Sequence, residues 1–246
     1  MDESTTWSDR FVLTPVDQAV VYEKVLVPGV FNRCAGVLLD ALPPGKVRSV
    51  VDVGTGTGAV AKRVAQLWPD LSAVAAVDVS AAMLEVAHAR STAVGSVPIH
   101  YVQAPAESLP FGNSQFDLAT CQHVLQFVAD PGRALREMAR IVRPGGWILV
   151  AVWDELARNP IEHLMSEAGL VEVKCSAAPV MFGLPKGTDD LLWLLLFSAA
   201  GPEIRALAPA PRARFEAQLY SLASPWMHGG LLEAPASMVV IRGYRG

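Results

Sequence analysis

Residues 50–60 read VVDVGTGTGAV, and their types and spacing can do chemistry. Gly54, Gly56 and Gly58 alternate with Thr55 and Thr57, and the carboxylate of Asp52 stands two residues ahead of the first glycine. A second carboxylate, Asp78, follows Gly58 by 20 residues. A glycine loop after a strand lets backbone approach a ligand closely, and that ligand is often a phosphate. Through Ala59 the loop even fits the permissive dinucleotide form, with Asp78 where a ribose-binding acid belongs. Asp52 argues the other way, because a carboxylate at the mouth of a low-dielectric crevice repels a pyrophosphate. It suits a ligand with an ammonium group and no phosphate. S-adenosylmethionine is one, with an α-amino group, a sulfonium, a ribose diol and an adenine.

Further along, CQHVLQF (121–127) places Gln122, His123 and Gln126 just after an apolar run. An imidazole with its ordinary pKa near 6.5 suits general-base work or substrate orientation. Gln122, Gln126 and Trp153 share that rim as candidate substrate contacts. Tyr22 is a candidate lid residue, although core packing explains it as well.

Those residues need elements to hold them. VRSVVDV (47–53), AVAAVDV (73–79), IHYVQA (99–104), FDLATC (116–121) and WILVAVW (147–153) read as buried strands. Helical spacing fills 57–68, 81–93 and 131–142, with Ser80 as a cap for the second. Arg143-Pro144-Gly145-Gly146 reads as a turn. A short helix over 161–170, a strand over 171–182, interrupted helices over 188–222 and a strand over 237–244 follow. One or two helices fill 1–45 and stop at Leu42-Pro43-Pro44-Gly45. Strict strand–helix alternation with continuously apolar strands predicts a parallel sheet covered on both faces. Its ligands bind outside the carboxyl ends of the strands, where strand order reverses.

Composition narrows the function classes. The chain has 246 residues, is 52% hydrophobic and 18% charged, and carries a net charge of −4. No Lys/Arg stripe tracks a phosphate backbone, so no nucleic-acid partner is expected. The polar, acidic N-terminus lacks the features of a signal peptide. The longest strongly apolar stretch, LLWLLLFSAAG, is about half of the roughly 20 residues a membrane span needs. It reads as a buried helix that could also wall a substrate pocket or form a homodimer contact. Cys34, Cys121 and Cys175 are odd in number and far apart, which suggests neither a disulfide framework nor a metal site. The expectation is a cytoplasmic protein.

VVDVGTGTG, VDVSAAML, SLPFGNSQFDL and LREMARIVRPGG, in that order, resemble class I S-adenosylmethionine-dependent methyltransferases, in the small-molecule branch called methyltransferase type 11. The resemblance covers residues 45–153 well and the flanks loosely. It implies a Rossmann-like, doubly wound α/β fold: a seven-stranded sheet with the last strand antiparallel, extra N-terminal helices and a helical insertion before the last strand. It implies one methyltransferase domain over 1–246, with a helical lid at 1–45, a cofactor-binding core at 46–153 and a substrate-side insertion at 183–233. Cofactor contacts would come from Asp52, Gly54, Thr55, Gly56 and Gly58, then from Asp78, Val79 and Met83, the last packing on adenine. Pro105, Ala106, Glu107 and the Cys121 backbone complete the set. Relatives keep an acid where this chain has Pro105, and often carry a longer connection than Asp154–Leu170.

The resulting expectation is methyl transfer to a small, fairly apolar molecule, in bacterial secondary metabolism. The rivals are a protein of the same fold that binds the cofactor but runs another reaction, such as a cyclisation, and an NAD-dependent oxidoreductase.

Overall fold

The computed structural model describes residues 14–91, 97–153, 158–198 and 200–246. The chain divides into two compact units, Met1–Val30 with Met181–Ala234, and Phe31–Val180 with Pro235–Gly246.

The larger unit holds the sheet. Its strands are β1 (Ser49–Val53), β2 (Ala73–Asp78), β3 (Ile99–Gln103), β4 (Phe116–Gln122) and β5 (Val142–Trp153), with most of β6 (Leu170–Leu184) and β8 (Leu231–Arg245). The order is β3-β2-β1-β4-β5-β8-β6. The pairs β1–β2, β1–β4, β2–β3 and β4–β5 are parallel, and β5–β8 is antiparallel. This is the expected seven-stranded path with its last strand antiparallel. A two-residue strand, β7 (Met227–His228), pairs with the start of β8 in addition.

Helices α3 (Ala59–Leu67), α4 (Ala81–Ser91) and α5 (Pro131–Ile141) join successive strands, α6 (Arg158–Glu167) follows β5, and α2 (Asn32–Asp40) packs on α3. Residues 31–45, grouped in the sequence with the N-terminal helices, therefore lie with the sheet. The central strands are apolar on both faces because helices cover both. Val51, Val53, Leu118, Ile148 and Val150 are fully buried, as are Leu135 and Met138 of α5. Chain order steps outward from β1 to β3 and then crosses to β4 on the other side of β1. Strand order thus reverses between β1 and β4, which puts the loops after these two strands side by side.

Two boundaries differ from the sequence reading. Arg143–Gly146, expected as a turn before the fifth strand, falls inside β5. Phe116 pairs with Val142 and Leu118 with Trp147, so these residues bulge opposite Asp117. Gly146 is required there, since a Cβ would meet the Asp117 carbonyl at 2.7 Å. The last strand begins at Leu231 rather than 237. The expected tail of α4 at 92–93 and the start of the 154–170 connection (154–157) lie outside the described residues.

The smaller unit contains α1 (Pro15–Val21), a π-helical stretch Tyr22–Phe31 that ends at the unit boundary, and α7 (Thr188–Leu196), α8 (Gly201–Ala206) and α9 (Pro209–Ala223). Thr14 and Asp17 form a capping box at the start of α1. Pro28 sits inside the π-helical stretch and lacks the N–H of a regular turn. Gly29 passes within touching distance of Gly183, where a Cβ would stand 2.7 Å from the carbonyl oxygen. The apolar stretch at 191–197 forms most of α7, and Leu192, Trp193 and Leu196 are buried. Among the described residues no helix is long and apolar enough to cross a membrane.

Candidate active site

The loop after β1 is built around a buried carboxylate. Asp52 stands one residue before Val53, the end of β1, and is 1% exposed. Thr55 Oγ1 donates to its Oδ2 at 2.7 Å, and Thr120 Oγ1, on β4, donates to its Oδ1 at 2.8 Å. Burial pushes its pKa up from 3.8 to about 6, against the pull of those two hydroxyls, and the nearby Asp78 raises it slightly more. Asp52 is therefore not a bare charge at the mouth of the crevice, as its position suggested. It fastens the glycine loop to β1 and β4 from beneath.

Gly54, Gly56 and Gly58 all have positive φ (70°, 56° and 91°), a region that only glycine enters freely. Gly54 is needed for a second reason, because a Cβ there would overlap the side chain of Val124. Thr55 N–H donates to the Val77 carbonyl at 2.8 Å, and Gly56 N–H donates to Asp78 Oδ2 at 2.8 Å. Asp78 Oδ1 accepts from Ser80 N–H at 2.8 Å. Burial raises the Asp78 pKa, and the N–H groups of Ser80 and Gly56 oppose that rise. Each Asp78 oxygen keeps a lone pair beyond these bonds, which is what a ribose diol requires.

The adenine-side candidates flank this loop. Val79 is 67% exposed, and its carbonyl accepts from Gln103 Nε2. Met83 is half-buried on α4, with its N–H directed to the Ser80 hydroxyl at 3.3 Å. Pro105 is exposed and Ala106 is buried. Glu107 points to the segment before α5. Its Oε1 accepts from Ala129 N–H at 3.0 Å, and its carbonyl accepts from Arg133 Nε at 2.9 Å. That side of Glu107 is engaged in holding the loop after β3.

The loop after β4 is arranged otherwise. Cys121 is fully buried, and burial pushes its thiol pKa up. Gln122 Nε2 donates to the Phe31 carbonyl at 3.3 Å, while Gln122 Oε1 is buried without a partner among the described residues. His123 adopts φ 54°, a left-handed conformation that costs a non-glycine residue roughly 1–2 kcal/mol. Its backbone N–H donates to the Ala151 carbonyl at 2.8 Å. Its ring is 5% exposed and lies parallel to Trp153, with centroids 3.8 Å apart and planes at 16°. Phe31 stands on the same ring at 6.1 Å. Among the described residues neither ring nitrogen has a hydrogen-bond partner, and Gln126 Oε1 is likewise buried and unpartnered. Burial drives the His123 pKa down to about 3, so the expected ordinary imidazole is not what stands here. The ring is neutral at physiological pH and is a poor proton acceptor.

The structure thus gathers the glycine loop, Asp52, Asp78 and the Gln122–Gln126 loop at the β1/β4 reversal. Tyr22 belongs to the other unit, where its ring meets Phe197 edge-on at 5.6 Å. Thr120 and Val124 were missed by the sequence reading. The only signal for Thr120 is a polar residue inside an apolar strand. Among the described residues, no group of three or more His, Cys, Asp or Glu is placed to hold a metal ion.

Residues 51–150 match the family described as a methyltransferase domain. The sequence of this region is similar to class I S-adenosylmethionine-dependent methyltransferases, and the fold is shared with solved methyltransferases. Within that class it is 36% identical over 116 residues to the ubiquinone/menaquinone biosynthesis C-methyltransferase UbiE of Vibrio campbellii, covering 47% of this chain and 45% of that one. It is 32% identical over 161 residues to the ubiquinone biosynthesis O-methyltransferase of Paracidovorax citrulli, covering 64% and 61%. The matches thus span about half the length of these relatives. The phosphoethanolamine N-methyltransferase 2 of Haemonchus contortus, solved with S-adenosyl-L-methionine, shares the fold with a TM-score of 0.64 at 15% identity, over 99% of this chain and 60% of that one. S-adenosylmethionine is the cofactor of this class, and the loop described above fits it. Three left-handed glycines clear a path for the ligand, and Asp78 offers acceptors for a diol.

Proposed function

We propose that the protein transfers the methyl group of S-adenosylmethionine to a small, fairly apolar acceptor of bacterial secondary metabolism. The observation that carries this reading is Asp78. Its carboxylate is clamped to the glycine loop through Gly56 N–H, at the point where strand order reverses, with lone pairs left for the ribose hydroxyls. Asp52 lies beneath, and its buried charge favours a cation such as the cofactor's ammonium over a pyrophosphate. The family match supports methyl transfer over hydride transfer.

The bound cofactor supplies an activated methyl group, which leaves sulfur as the acceptor's new bond forms. The protein's contribution is alignment and exclusion of water. Gly54, Gly56 and Thr55 shape the methionine end, Ala106 and Met83 the adenine end. His123 is neutral and pinned by Trp153, so we assign it to orientation of the acceptor through a ring nitrogen rather than to strong proton removal. The named relatives act as a C- and an O-methyltransferase, so they share the transfer and not the acceptor atom. The loop 121–124 lacks the Asn/Asp-Pro-Pro-aromatic pattern of nucleic-acid amino-methylating enzymes, which supports a small-molecule acceptor.

Calorimetric titration tests the reading. S-adenosylhomocysteine should bind and NAD should not. NAD binding without a response to S-adenosylhomocysteine would overturn it.

A further inference from the structure

Thr120 is fully buried on β4, where it stands in register with Asp52 of the neighbouring β1. Its hydroxyl has one proton to give and two acceptors within reach, Asp52 Oδ1 at 2.8 Å and the Val51 carbonyl at 3.5 Å. An ionised carboxylate takes that proton, because the charge-assisted bond is the shorter and stronger one. A protonated Asp52 needs the reverse arrangement. Its carboxyl O–H then donates, and Thr120 Oγ1 can accept while turning its own proton to Val51. Thr120 therefore serves either protonation state of Asp52 by rotation of one hydroxyl.

Among the described residues, the groups around Asp52 supply no cation to pair with it. Asp78 on β2 is a second acid and makes its ionisation harder. On β4 the Cys121 thiol is kept neutral by burial, with the Asp52 charge adding to the effect. His123, just past the end of β4, is neutral as well. On α3 the Ala61 N–H favours the ionised form, whereas Lys62 lies beside Gly58 and Tyr101, and Arg63 lies over Gly36 of α2. A buried carboxylate set among hydroxyls and a second acid gains most from a cation that arrives from outside.

We propose that Thr120 is a positioning residue that lets Asp52 give up a proton when the cofactor's ammonium arrives, so that cofactor binding releases a proton and tightens as pH rises. This rests on the proposed function, and it names a regulation of that same site. The proton passes to solvent and no other bond changes. Burial raises the Asp52 pKa to about 6 in the free protein. The ammonium favours the ionised form, so proton and cofactor compete. Affinity falls as pH drops below 6 and levels off above it.

Calorimetry of S-adenosylhomocysteine binding from pH 5 to pH 7.5 tests this, with methylthioadenosine as control. The control keeps the adenine, the ribose diol and the sulfur but has no ammonium, so it reports on Asp78 and not on Asp52. Affinity for S-adenosylhomocysteine should rise about tenfold over this range, as for one group of pKa about 6 whose proton is expelled. At pH 6, titration in buffers of different ionisation enthalpy should show release of roughly half a proton. Methylthioadenosine should show a smaller rise and a smaller release. Thr120→Val keeps the shape but loses a hydrogen bond to the charged form, so the midpoint of the profile should move up by about one pH unit. Thr120→Ser should return it. If the valine variant fails to fold, the proton release of the wild type against the control still decides. A flat profile, no proton release, equal release with methylthioadenosine, or an unmoved midpoint in folded Thr120→Val overturns the proposal. Absence of S-adenosylhomocysteine binding at every pH would instead overturn the methyltransferase reading, so the two failures are distinct.

Discussion

The loops after β1 and β4 touch through Gly54 and Val124, yet their polar groups are treated in opposite ways. Both oxygens of Asp52 and both of Asp78 accept hydrogen bonds from the protein itself. A few residues away, His123 and two glutamines hold buried atoms that the protein leaves unpaired. A site that must receive one invariant cofactor can be fully braced in advance. A site that gains its partners only from the acceptor must leave them open, and it loses stability until the acceptor arrives. The difference fits the proposed division, with rigid scaffolding in the first loop and recognition in the second.

The contact between the loops gives the largest expected effect. Gly54→Ala forces a Cβ into Val124 and holds a non-glycine residue at φ 70°. Overpacking costs about 1–3 kcal/mol and the left-handed conformation about 1–2 kcal/mol, so a loss of roughly 2–5 kcal/mol is expected in chemical denaturation. Val124→Ala added to Gly54→Ala should recover only part of the overpacking, because the Val124 Cβ would still stand 2.9 Å from the new methyl. Full recovery, or none, would show that the loops are not coupled through this contact.

The two loops should also respond oppositely to pH. The Asp52 pKa is raised from 3.8 to about 6, so the folded state binds its proton more tightly than the unfolded state does. The stability this gives is complete below pH 3.8 and lost as pH rises through 6, about 3 kcal/mol in all. Asp52→Asn should therefore raise stability at pH 8 by up to about that amount, with little change at pH 3.5, while loosening Thr55 and weakening cofactor binding. His123 runs the other way. Its pKa falls from 6.5 to about 3, so stability is lost as pH drops below 6.5, by about 3 kcal/mol at pH 4. His123→Asn should remove that acid-side loss. Thermal melts across this range, for both variants, separate the two signs. An inflection near pH 6.5 in kcat/KM that vanishes in His123→Asn would mean the imidazole is accessible and acts as a base.

The smallest effect concerns the open atoms themselves. Gln126→Leu removes one buried unpaired carbonyl, and it should stabilise the free protein by about 1 kcal/mol while impairing acceptor binding. Destabilisation instead would mean that Gln126 already has a partner, such as a tightly held water.

How far the sequence revealed this follows from where each constraint resides. The strands and helices of the sheet unit were legible because their apolar spacing is local, as in 49–53 and 131–141. The glycine loop and Asp78 were legible because their spacing is a local pattern too. The bulge at Arg143–Gly146 was not, since it depends on the register between β4 and β5. Thr120 reaches Asp52 across a strand pair 68 residues apart in sequence, and only the fold brings them together. The same holds for His123, whose ordinary-looking imidazole is made unusual by Trp153 and burial. The unpaired glutamine oxygens are invisible to any reading of residue type, because a missing partner is a property of the packed structure.

The division between braced and open loops is tested most directly by the affinity for S-adenosylhomocysteine, measured by calorimetry for the wild type, Asp78→Ala and Gln126→Leu. Asp78 is expected to hold the ribose with an ionised carboxylate, and its loss should weaken binding by about 1.5–3 kcal/mol, a factor of roughly 10 to 150. Gln126→Leu should shift the affinity by less than about threefold. An unchanged affinity in Asp78→Ala, or a larger loss in Gln126→Leu than in Asp78→Ala, would contradict the assignment of cofactor to the first loop and acceptor to the second.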